Sequence, residues 1–229
     1  IVWLINLIIW IPFSYYATFV IEEKFWFNKS TKKIFFLDIV KSIILTTIIW
    51  WLILSLITFL YLQFQNNFWI YAWILLSIFS IFIMMFYSSL IVPLFNKQTP
   101  LEDWDLKTAI NNFATKVWFK LDNIYVIDGS KRSSKANAYF SGLWPKKRIV
   151  LYDTLINDLS IDELVAVLAH EIGHYKHKHT FIMLSFSLLQ TGLIMYLFSL
   201  VINNLEIAQA FWTNLTSFHI WMIAFWILF

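Results

Sequence analysis

Four stretches of this chain run for more than twenty residues without a charge: Ile1–Ile21, Ser42–Leu62, Phe68–Val92 and Thr180–Ile202. About twenty apolar helical residues cross the roughly 30 Å hydrocarbon core of a bilayer. Each stretch is therefore expected to be a membrane span, the first kinked or broken at Pro12. Composition agrees: the chain is 60% hydrophobic and 14% charged, where soluble domains carry about 25% charge. A fifth apolar run, 218–229, is too short to cross. Only QFQNN (63–67) separates the second and third spans, so it reads as a turn.

The basic residues fix an orientation. All 17 Lys and Arg fall in 22–41 or 93–179, and none in 63–67 or 203–217. Alternating spans put both basic regions on one side, which the positive-inside rule makes cytoplasmic. The expected organisation is 1–92 as N-terminal membrane helices with a cytoplasmic loop at 22–41, 93–179 as a cytoplasmic segment, and 180–229 as C-terminal membrane helices. A net charge of +3 gives no reason to expect nucleic acid. With no cysteine, disulfides and thiolate ligands are excluded, leaving His and carboxylate for any metal.

The chemistry concentrates in 160–179. His170, Glu171 and His174 form H-E-x-x-H, whose histidines lie one helical turn apart on one face and can share a metal ion. Glu171 beside them is placed to take a proton from water. Ser160 and Glu163 make a capping box, and Leu164, Val165, Val167 and Leu168 supply an apolar run for burial. His177 and His179, among Lys176 and Lys178 at a membrane entry, are expected to be solvated rather than ligating. A lone His in a helix is usually a core or surface residue. Here four of five histidines fall between 170 and 179, which favours a zinc site.

Upstream, Pro100–Lys120 reads as an amphipathic helix with acidic residues at its start. Asn123–Asp128, Ala138–Phe140 and Arg148–Tyr152 read as short strands, with SGLWPKK as a turn, giving a small antiparallel hairpin. Such an element beside a metal helix can take an extended substrate on its free edge.

PFSYYATFVIEEKFWFNKST, PLFNKQTPLEDWDLK, IYVIDGSKRSSKANAYFSG, KKRIVLYDTLI and LAHEIGHYKHKHT, in that order, resemble the Ste24 family. These are integral-membrane zinc metalloproteases, the type I CAAX prenyl proteases of the M48 peptidase group. The resemblance implies a mainly α fold: polytopic membrane helices forming a chamber, with a cytoplasmic zincin-type helix-and-hairpin element. It implies one Zn2+ on His170 and His174, with Glu171 catalytic, and Asn137, Ala138 and Tyr139 as the substrate-binding edge strand. The implied substrates are peptide or prenylated-protein C-termini, cleaved at a bacterial cell membrane facing the cytoplasm, or at the endoplasmic reticulum membrane of a eukaryote. Rival readings are a quality-control protease without prenyl specificity, an inactive chamber or scaffold, and a transporter carrying the motif by accident. The family's third ligand is a downstream glutamate, expected beyond residue 229. Glu206 falls in a loop assigned to the opposite face, so the chain reads as a fragment truncated at both ends with an incomplete site.

The family pattern also carries glycine where this chain has Trp26, Trp104, Trp118 and Trp144. With 4 Gly against 13 Trp, the expectation is that these codons are UGA, rendered as Trp here and decoded as Gly by the source organism.

Overall fold

The computed structural model describes residues 2–102, 104–119, 123–141 and 148–202, together with residue 209. The loop at 203–217 (with Glu206), the apolar run 218–229 and Trp144 in the SGLWPKK turn fall outside the described residues, Gln209 excepted.

Two compact units divide the chain: 1–42 with 84–177, and 43–83 with 178–229. In the first, α1 (Val2–Tyr16) runs on through Pro12 into a π-helical turn, Ala17–Glu22, rather than breaking at the proline. Helix α2 (Lys32–Phe64) begins ten residues before the expected span. Nothing between Lys32 and Ser42 breaks a helix, and Thr31 Oγ1 caps it by accepting the Ile34 N–H at 3.2 Å. Half of the expected cytoplasmic loop is thus helix.

Helix α3 (Phe68–Phe86) continues through a π-helical turn (Tyr87–Ile91) into the short α4 (Val92–Phe95). Among the described residues, three helical stretches are long and apolar enough to cross a membrane: Lys32–Phe64, Phe68–Phe95 and His179–Leu200.

The polar segment holds β1 (Gln98–Pro100), α5 (Trp104–Lys116), β2 (Asn123–Ile127), β3 (Ala138–Ser141), β4 (Arg148–Tyr152), α6 (Asp153–Asp158) and α7 (Ile161–Lys176). The strands form one mixed sheet in the order β1-β2-β4-β3. β3 and β4 make the expected antiparallel hairpin. β2 instead lies parallel to β4, and β1 adds an antiparallel edge. Pro100 has no N–H to give and so suits that edge position. Leu106 and Ile110 of α5, Ile149 and Leu151 of β4, and Leu164 and Leu168 of α7 form the main core.

The strap between β2 and β3 is tied down at many points. Gly129 opens it because a Cβ there would stand 2.3 Å from the Tyr152 ring. Arg132 donates two hydrogen bonds to Asp38, at 2.7 and 3.0 Å, one to the Phe95 carbonyl at 2.7 Å, and another to Asn96. Its own carbonyl accepts the Lys29 N–H at 3.1 Å, and Ser134 N–H donates to the Phe27 carbonyl at 3.0 Å. Residues 27–29 thus form a short antiparallel bridge with the strap.

The second unit packs α3 against α8 (His179–Ile202). Phe68, Ala72, Phe198 and Ile202 are buried together. The Trp73 indole N–H donates to the Leu188 carbonyl at 2.8 Å. A Cβ on Gly192 would meet that indole at 3.0 Å, so glycine admits the close approach of the two helices.

Candidate metal centre

Helix α7 is set in place from its N-terminus. The Ser160 N–H donates to Glu163 Oε2 at 2.8 Å and the Ser160 hydroxyl to the same oxygen at 2.7 Å, while the Glu163 N–H reaches Ser160 Oγ at 3.4 Å. This is the expected capping box. These hydrogen bonds hold the Glu163 carboxyl below its ordinary pKa. Leu164, Leu168 and Ile172, four apart, are buried, and the 100° step per residue turns His170 and His174 to the opposite face. The helix ends at Lys176, three residues short of the expected 179.

The two imidazoles converge. His170 Nε2 and His174 Nε2 stand 3.0 Å apart with ring planes at 85°. Two nitrogens on one tetrahedral ion, each about 2.0 Å from it, would be about 3.3 Å apart. A small outward rotation of the rings therefore fits zinc, and its nitrogen-and-oxygen chemistry suits this donor set. Glu171 lies between them in sequence and is half-buried, while both histidines are exposed. Among the described residues, no third His, Cys, Asp or Glu joins the pair. His177 and His179 are also exposed.

Strand β3 runs beside α7. Phe140 packs edge-on against Phe119 at 5.3 Å, in a cluster with Ala114 and the buried Ile172 of the metal helix. Among the described residues, β3 has only β4 as a neighbour, so its other edge is free within the described sheet. The Asn137 carbonyl accepts the Tyr152 N–H at 3.0 Å. By the alternation of an antiparallel ladder, Asn137 and Tyr139 then turn their main chains toward β4, and Ala138 and Phe140 turn theirs outward. Of the three expected substrate-binding residues, Ala138 alone offers main-chain groups to the free edge. Its N–H is held by the Asn137 side-chain oxygen at 2.9 Å. The Ala138 side chain is in the core, and the Tyr139 ring packs on the opposite side of the sheet with Val92, Ile127 and Val150. Burial pushes the Tyr139 phenol above its ordinary pKa.

Sequence reasoning missed the Arg132 clamp. SKRSSK reads locally as surface charge, and the partner Asp38 lies 94 residues away.

Two family models match. Residues 1–97 match the CAAX prenyl protease N-terminal domain, described as five membrane helices, and residues 100–228 match peptidase family M48. The chain is 47% identical over 202 residues to CAAX prenyl protease 1 of Saccharomyces cerevisiae, covering 88% of this chain and 45% of that one. It is 34% identical over 238 residues to the human CAAX prenyl protease 1 homolog, covering 88% and 50%. The crystal structure of S. mikatae Ste24p superimposes with a TM-score of 0.80 at 49% identity, over 85% of this chain and 46% of that one. The chain thus spans about half the length of the curated relatives it matches. With its spanning helices it is an integral membrane protein, and over both matched regions it belongs to the CAAX prenyl protease branch of peptidase family M48.

Proposed function

We propose that the full-length protein is a membrane-embedded zinc metalloendopeptidase that trims the C-termini of prenylated peptides. His170 and His174 are two of the zinc ligands, and a third donor comes from outside the described residues. The observation that carries this reading is the 3.0 Å approach of the two Nε2 atoms with Glu171 beside them on a capped, half-buried helix. The metal, when bound, lowers the pKa of water toward neutrality and polarises the scissile carbonyl. Glu171 accepts the proton of the attacking water and passes it to the leaving amine. The outward main chains of Ala138 and Phe140 align an extended peptide as an added strand. The confinement of all 17 Lys and Arg to two regions supports a site on the cytoplasmic side of a bacterial cell membrane, or of the endoplasmic reticulum in a eukaryote.

The test uses the full-length protein, a farnesylated CAAX peptide and the same peptide without the lipid. Glu171→Gln is expected to keep its zinc and lose about 10²–10⁴ in turnover, while His174→Ala loses the metal. A protein purified without chelator that lacks zinc overturns the reading. Equal cleavage of both peptides would make it a quality-control protease instead.

A further inference from the structure

Two of the described tryptophans stand in a backbone conformation that tryptophan rarely adopts. Trp26 has φ 62° and Trp118 has φ 55°, in the left-handed region where a Cβ crowds the following carbonyl. Both occupy the same place in the same motif. At the end of α5, the Phe119 N–H donates to the Ala114 carbonyl at 2.8 Å and the Trp118 N–H to the Thr115 carbonyl at 3.1 Å. After the first helix, the Phe27 N–H donates to the Glu22 carbonyl at 2.9 Å and the Trp26 N–H to the Glu23 carbonyl at 3.1 Å. These are paired six-to-one and five-to-two bonds, the Schellman helix stop, whose left-handed residue is most often glycine.

The side chains offer no compensation. Trp26 is 83% and Trp118 95% exposed. An aromatic belt at the membrane surface accounts for exposed tryptophan near a spanning helix, but α5 is an amphipathic helix of the polar segment, and Trp118 lies between Lys116 and Lys120. Trp73 is the contrast: it is helical, its indole is hydrogen-bonded, and it packs on Gly192. Trp104 opens α5 in a helical conformation, which makes no demand for glycine.

From this geometry we infer that the polypeptide made by the source organism carries glycine at positions 26 and 118 and tryptophan at 73, so that two codons share one letter in this sequence. The two stops shape the surroundings of the metal helix. The turn at 118 sends Phe119 into the cluster behind Ile172. The turn at 26 sends residues 27–29 onto the strap before β3.

Trypsin isolates each position, in Phe25–Lys29 and Val117–Lys120. Mass spectrometry of these peptides from the protein purified from its source organism is expected to show glycine in both, with UGA codons at 26 and 118 and UGG at 73. Tryptophan in either peptide overturns the inference. As a second measurement, full-length protein with Trp26→Gly and Trp118→Gly is expected to melt higher than the form with both tryptophans, by about 2 °C or more per site. A lower melting temperature counts against it.

Discussion

Helices α7 and α8 are separated only by His177 and Lys178, yet they sort their residues by different rules. α7 buries Leu164, Leu168 and Ile172 and leaves its histidines exposed. Water does the sorting, so polarity alone marks its faces. α8 exposes Phe186, Leu189, Leu193 and Leu197 and buries Phe198 and Ile202. Both of its sides are apolar, because lipid accepts what a core accepts. Its packed seam is marked by size and by one hydrogen bond, at Gly192 and the Leu188 carbonyl. A hydrophobic pattern therefore reports packing in the polar segment and only membrane residence in the spans.

Substitutions in the full-length protein sharpen this contrast. Leu168→Ala is expected to cost about 2–5 kcal/mol, read as a large fall in melting temperature. Leu189→Ala, equally apolar but on the exposed side of α8, should stay within about 0.5 kcal/mol; equal losses at the two sites would erase the distinction. Arg132→Ala removes a guanidinium bonded to Asp38 and the Phe95 carbonyl and should cost about 1.5–3 kcal/mol, with the strap showing faster hydrogen exchange. Trp73→Phe keeps an aromatic ring but deletes the donor to Leu188, for about 0.5–1.5 kcal/mol.

The smallest effect is on pH dependence. Glu163 has its folded pKa depressed by Ser160. Its contribution is therefore present above the ordinary glutamate range and lost as pH falls through the lower folded value. Glu163→Gln should flatten the acid side of the melting profile slightly, and an unchanged profile would show that the capping box has no role in acid stability.

The metal helix was legible because everything that defines it is local: Ser160 and Glu163 are three residues apart, and His170 and His174 four. Three of the four expected spans coincide with helices long and apolar enough to cross a membrane, legible from their uncharged runs and from the polar QFQNN between two of them. What escaped depends on distant partners. β1 is three residues long and ends in a proline, so no alternation could declare it. The parallel pairing of β2 with β4 is invisible to a pattern that reads both simply as strands. Nor does Arg132 differ locally from the lysines around it. The early start of α2 is hidden because charge suits a loop as well as a helix: a helix leaving the bilayer keeps its hydrogen bonds while its side chains turn polar.

The side-chain amide of Asn137 acts as a placeholder on the outer rim of β3. Bare strand margins are adhesive, and neighbouring copies crowded in one bilayer would tend to zip together along them. Because Asn137 already occupies the Ala138 N–H at 2.9 Å, an arriving chain must displace it. A stretched peptide making several main-chain bonds at once is favoured over a loop that brushes past with one.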